Sequence, residues 1–178
     1  CTTQNWFGGG IDVTPSKKDD KEKKEFHKIL KDMCNQHNKN YYHKYKKWCD
    51  EYFYLPHRNE PRGIGGIFFD YKKNNFEKDF KFVRDVGTTF QFIFQKIIEK
   101  KLKKKWTAKD KELQYIKRGR YTEFNLLYDR GTKFGLQTGG NIEGILMSLP
   151  PLAKWKWMNK EPITLNGLNK LKEELIFL

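Results

Sequence analysis

The stretch YTEFNLLYDRGTKFGLQTGG, Tyr121–Gly140, decides how the chain is read. Its first half alternates. In an extended chain Tyr121, Glu123, Asn125, Leu127 and Asp129 share one face, and Thr122, Phe124, Leu126 and Tyr128 share the other. Such alternation predicts a half-buried strand, with the second set in the core and the Glu-Asn-Asp face forming a cavity wall. A second strand-like run, GILMSLPP (144–151), closes on Pro150-Pro151. Asp129 then stands at a strand end beside Arg130 and Lys133. It is either a cavity acid or an edge-strand residue paired with Arg130 or Lys133 in solvent. Gly139-Gly140 offers unblocked backbone N–H groups to an anion, or simply turns the chain.

Outward from that stretch the pattern changes. NWFGGGIDVTP (5–15) predicts a short strand whose triple glycine allows close backbone approach and whose Asp12 ends it. Asp12 is thus a second candidate site acid, or a cap or turn residue. Residues 18–38 place Phe26, Ile29, Leu30 and Met33 at helical spacing. The aromatic run 40–58 predicts a second helix stopped near Pro56, and 62–70 a strand running into Asp70. Residues 76–105 predict a long amphipathic helix with a Lys-rich tail, 110–117 a further helical turn or two, and 163–178 a capping helix. Clustered strands and blocks of helices predict an α+β fold with a mainly antiparallel sheet. At 178 residues a single domain over 1–178 is expected.

Composition narrows the function classes. The net charge is +14, which first suggests nucleic acid. Only six of the 36 basic residues are Arg, however, and phosphate and base recognition favour Arg forks. Most of the excess reads as solvated Lys, so no nucleic-acid partner is expected. Aromatic residues make up 16% of the chain, enough bulk for a core despite a mean hydropathy of -0.88. No apolar run reaches the roughly 18 residues of a membrane span. Cys1, Cys34 and Cys49 form no CxxC pair and leave an odd thiol, which argues against zinc or a disulfide framework. His27 and His57 lack metal-motif spacing and are kept only as alternative ligands. No phosphate-binding loop, dinucleotide fingerprint, nucleophile elbow or HExxH motif occurs.

Four blocks together carry a resemblance: WFGGGIDVTP (6–15), YKKWCDEYFYLPHRNEPRGIGGIFFD (45–70), KRGRYTEFNLLYDRGTKFGLQTGG (117–140) and ILMSLPPLAKW (145–155). The chain resembles the oxygen-dependent coproporphyrinogen III oxidases from about Trp6 to Trp157. That resemblance implies a flat antiparallel sheet sandwiched between helices and a homodimer, here expected through the strands of about 121–156. It implies cytoplasmic oxidative decarboxylation of two propionates of coproporphyrinogen III to vinyls, giving protoporphyrinogen IX in haem biosynthesis. Dioxygen is the co-substrate, and no metal or organic cofactor is required. Asp129, Asp12 and Arg130 become the candidate catalytic residues, with Gly139, Gly140, Asn141 and Lys133 as candidate substrate ligands.

The departures matter as well. The family usually reads Gly-Gly-Arg where Gly139-Gly140-Asn141 stands, so a propionate-binding guanidinium is missing; Lys133 or Lys154 is the expected substitute. An aromatic after Thr14-Pro15 is replaced by Ser16-Lys17, and a second acid after Asp70 by Tyr71. The family also carries an N-terminal portion that supplies sheet strands, an Arg and a His. His27 and His57 resemble two of the four His sometimes assigned to metal. An incomplete start is therefore expected, and a non-catalytic tetrapyrrole-binding or subunit-pairing remnant is the alternative function.

Overall fold

The computed structural model describes residues 5–156. In chain order the elements are β1 (Phe7–Asp12), α1 (Asp20–His37), α2 (Tyr41–Tyr52), β2 (Tyr54–Leu55), a 3-10 turn (Pro56–Arg58), β3 (Glu60–Pro61), β4 (Gly66–Lys72), α3 (Phe76–Leu102), α4 (Ala108–Leu127), α5 (Arg130–Gln137) and α6 (Ile142–Leu146). β1 pairs antiparallel with β4, Ile11 opposite Ile67 and Gly9 opposite Phe69. A side chain at Gly66 would place its Cβ 1.8 Å from the Ile11 carbonyl oxygen, so glycine sets the closeness of this pair.

The core forms where the sheet meets three helices. Ile11, Ile67 and Phe69 pack with Phe26, Leu30, Met33 and Cys34 of α1, Tyr42 and Tyr45 of α2, and Phe82, Val86 and Ile93 of α3. The α1 residues recur at three- and four-residue spacing, which puts them on one helical face. Its start is fixed by Asp19, whose carboxylate accepts from the Lys21 and Glu22 amides. Lys72 at the end of β4 is buried and pairs with Asp79 at 2.6 Å, while Asp79 also accepts from the Asn74 and Asn75 amides. That contact ties the strand to the first turn of α3.

The strand, helix and strand expected over 5–15, 18–38 and 62–70, and the long helix over 76–105, are present with shifted ends. The α+β class stands, with small antiparallel sheets of two strands each among the described residues. Two expectations are corrected. The helix expected over 40–58 ends at Tyr52, and a short hairpin around the 3-10 turn follows. More importantly, the two expected strands are absent: 121–127 is helical, and of the run 144–151 the first residues belong to α6 and the next form a turn. Thr107 and Asp110 form a reciprocal capping box, and from there α4 runs unbroken through the segment read as a short helix and then a strand. The strand faces assigned to Tyr121–Asp129 therefore do not exist. Gly119 lets the chain at Lys154 lie against α4: a Cβ there would sit 2.6 Å from the Lys154 carbonyl oxygen. The expected helix over 163–178 lies outside the described residues.

Candidate active site

Asp12 ends β1 and pairs with the Arg62 guanidinium, which is almost wholly buried. Arg62 lies over the rings of Phe53 at 3.9 Å and Phe124 at 4.6 Å, and over Tyr121 at 5.3 Å. Aromatic faces stabilise a guanidinium removed from water. Its Nε is buried with no hydrogen-bond acceptor among the described residues. Beside this pair a cavity of about 290 Å3 is lined by Thr14, Ser16, Gln114, Lys117, Arg118 and Tyr121. Thr14 and Ser16 follow closely on Asp12 along the chain, and Tyr121 is one of the three rings against Arg62. Arg118 has no carboxylate partner among the described residues, so its fork is available to an anion. A larger hollow of about 550 Å3 lies along α2, but Lys46 and Lys47 there pair with Asp50 and Glu51 one turn on, leaving little charge for a ligand.

A second polar centre forms around Glu123 of α4. Its carboxylate accepts from Arg58 Nε at 2.9 Å and Nη2 at 2.6 Å, His57 Nε2 at 2.9 Å, Arg120 Nη1 at 3.2 Å and Trp155 Nε1 at 2.9 Å. Burial opposes its ionisation, but the bonds from Arg58 and His57 and the charges of Arg58 and Arg120 outweigh it, holding the group at about 2. With Nε2–H donating to Glu123, His57 Nδ1 accepts from the Tyr128 hydroxyl at 2.8 Å. The 3-10 turn and α4 are joined by these contacts.

The residues of the opening stretch divide differently from expectation. Asp129 is the N-cap of α5: one oxygen accepts from the Thr132 amide at 2.7 Å and hydroxyl at 2.8 Å, the other from Tyr52 at 3.0 Å. Arg130 lies over the Tyr52 ring at 5.0 Å. Lys133 is exposed on α5. Gly139, with φ +69°, and Gly140 close the C-terminus of α5, the Gly140 amide donating to the Gly135 carbonyl at 3.0 Å. Asn141 caps α6 by accepting from Gly144. Lys154 pairs with Glu112 at 2.7 Å. Asp12 and Asp129 are linked through one aromatic wall: Tyr52, bonded to Asp129, meets Phe124, on which Arg62 rests.

His27, like His57, is placed by two bonds. His27 Nε2 donates to the Ile64 carbonyl at 2.8 Å and Nδ1 accepts from Tyr42 at 3.1 Å; burial holds its pKa below the usual value. Among the described residues no three His, Cys, Asp or Glu side chains form a metal-binding group. Burial pushes the Cys34 and Cys49 thiols up to about 12, so neither is a nucleophile near neutral pH. No described helix is long and apolar enough to cross a membrane.

Sequence reasoning reached Asp12 and Asp129 and set Tyr121 and Glu123 on a cavity wall, though as part of a strand, but missed Arg62 and Arg118 as site-forming groups. The available signal was arginine itself. In a chain so rich in Lys, Arg58, Arg62, Arg118, Arg120 and Arg130 lie around these two centres or on the Tyr52 wall, and only Arg84 lies elsewhere. Forked, permanently charged donors are concentrated where carboxylates are recognised.

Comparison with known proteins agrees with this architecture. The family profile described as Coproporphyrinogen III oxidase matches residues 1–171. Curated relatives named oxygen-dependent coproporphyrinogen-III oxidase include those of Rickettsia bellii (strain OSU 85-389) and Rickettsia rickettsii (strain Sheila Smith), each 57% identical over 155 residues. The Rickettsia akari (strain Hartford) protein is 56% identical over the same length. Each alignment covers 86% of this chain and 56% of the relative, so the chain spans about half the length of the proteins it matches. With the family profile covering nearly the whole sequence, the chain belongs to the coproporphyrinogen III oxidase family.

Proposed function

We propose that the protein carries out the oxygen-dependent oxidative decarboxylation of coproporphyrinogen III in haem biosynthesis, with dioxygen as co-substrate and no required metal. The reading is carried by one observation: an Asp12–Arg62 pair on an aromatic wall, beside a cavity to which Arg118 brings an uncommitted guanidinium. For each of two propionates the balance is one propionate, one O2 and one proton giving a vinyl group, CO2 and H2O2. The chain's part is to hold the macrocycle and manage its protons. Asp12 accepts pyrrole N–H bonds and takes a ring proton, which leaves the ring electron-rich toward dioxygen. Arg118 and Lys117 hold propionates at the cavity mouth. In this reading Asp129 and Arg130 act from the wall, Asp129 fixing α5 and Tyr52, while Lys133, Gly139, Gly140 and Asn141 present polar groups to the outer propionates. The protein works as a cytoplasmic homodimer, supported by exposed apolar side chains on α4, α5 and α6.

The test is incubation of the chain with freshly reduced coproporphyrinogen III in air and quantitation of vinyl-bearing product against a no-protein blank. Product that persists in a metal chelator, and that falls about 10²–10⁴-fold in Asp12→Asn, is the expected result. Absence of product, with tetrapyrrole still bound, would favour the binding-only alternative. Asp12→Asn turnover within a few-fold of the unaltered chain would overturn the role given to Asp12.

A further inference from the structure

A further cleft, of about 450 Å3, lies where the start of α1, the end of α3 and the start of α4 converge. Ser16 and Gln114 line both this cleft and the cavity beside Asp12, so the two hollows share a wall. The volume falls in the range of small-molecule sites. Six lysines face it against two aspartates, and the aspartates are already committed: Asp19 caps α1, while Asp110 closes the α4 capping box and meets Lys17 at 3.3 Å. Lys101 is held by Glu22 at 2.9 Å. Lys18, Lys104 and Lys105 have no carboxylate partner among the described residues. Between them Trp106 presents its ring, 71% exposed.

A large exposed indole and uncompensated ammonium groups in one concave place make a site for a ligand that is both flat-faced and multiply anionic. Pyrroles and carboxylates meet both requirements. We propose that this cleft is a docking vestibule that captures the carboxylates of an incoming tetrapyrrole and passes it over the Ser16–Gln114 wall into the cavity beside Asp12. The inference rests on the proposed function and adds a second subsite to it. Lysines suit the task, because they are mobile point charges that attract without locking a geometry, whereas the inner cavity has the forked Arg118. Concentrated charge of this kind acts on the association rate.

Stopped-flow binding of coproporphyrin III, the stable oxidised tetracarboxylate, to the full chain tests it. In Lys104→Glu/Lys105→Glu the association rate at low salt is expected to fall about tenfold or more, with dissociation within about twofold. The deficit should shrink at 0.5 M salt, as expected for screened attraction across roughly one Debye length. Trp106→Ala should raise the dissociation rate several-fold. The control is Lys28→Glu/Lys31→Glu on the exposed side of α1, which changes net charge equally. An equal fall in the control, or unchanged association in the cleft variant, would overturn the vestibule and leave the proposed function standing. Failure of the unaltered chain to bind coproporphyrin III would overturn both.

Discussion

Glu123 shows how much of a site can rest on one carboxylate. Five donors from four residues converge on it, and its side chain is only 11% exposed. Glu123→Gln would leave Arg58 without its carboxylate partner, while Arg120 keeps Glu60 at 3.1 Å; breaking such a pair costs up to about 3 kcal/mol. A matching fall in urea midpoint should be seen. The pH dependence has a definite sign. Because the folded group titrates at about 2, below its ordinary value of 4.5, its contribution is fully present above about pH 4.5 and is lost as pH falls toward 2. The unaltered chain should therefore lose stability through that window more steeply than Glu123→Gln; parallel losses would mean that Glu123 is not the titrating group. Asp12 was legible as a strand-end acid because triple glycine and Thr-Pro bracket it. Its partner was not, since Arg62 reaches it across fifty residues of chain and only the fold brings them together.

At the scale of elements, local capping decided what periodicity misjudged. Residues 121–129 alternate well enough for a strand, yet Phe124 is wholly buried against Tyr52 and Phe53 as part of a helix that began at Thr107. The Thr107-x-x-Asp110 box and the Asp129-x-x-Thr132 cap were both written in the sequence. Read as helix starts, they would have turned Asp129 from a strand end into an N-cap and Gly139-Gly140 into a helix stop. The strands β1 and β4 were each legible, though not their pairing, and the glycine between them has a steric cause. At Gly66 even a methyl group would overlap the Ile11 carbonyl oxygen. Gly66→Ala should force the strands apart and destabilise the fold by about 3 kcal/mol or more. Because Asp12 is the last residue of β1, opposite Gly66, tetrapyrrole binding should weaken in parallel. A variant of normal stability would show that the strands can separate freely.

For the whole molecule, charge and apolar surface carry different messages. The Lys excess was read as largely solvated, and many lysines do lie exposed in pairs with surface acids, such as Lys96 and Lys100 on Glu25. Such pairs add little stability. What composition alone could not show was that lysines ahead of α1 would join those of the α3–α4 connection, more than eighty residues on, around one indole. The proposed dimer would draw on the exposed apolar surface. Leu127, Phe134, Ile142 and Met147 on or beside α4, α5 and α6 are 50%, 68%, 62% and 82% exposed. The segment expected to pair subunits through strands offers helix faces instead, so the proposed dimer contact is side chain to side chain and lacks strand-edge hydrogen bonds. Interface energy concentrates in a few large apolar anchors. Sedimentation equilibrium should therefore find a dimer whose dissociation constant rises about a hundredfold in Phe134→Glu/Met147→Glu, a change of about 2.7 kcal/mol. Phe90→Glu/Phe94→Glu, on the exposed aromatic side of α3, is the counter-test. A dimer broken by the α3 pair and untouched by the α5–α6 pair would move the interface to the long helix.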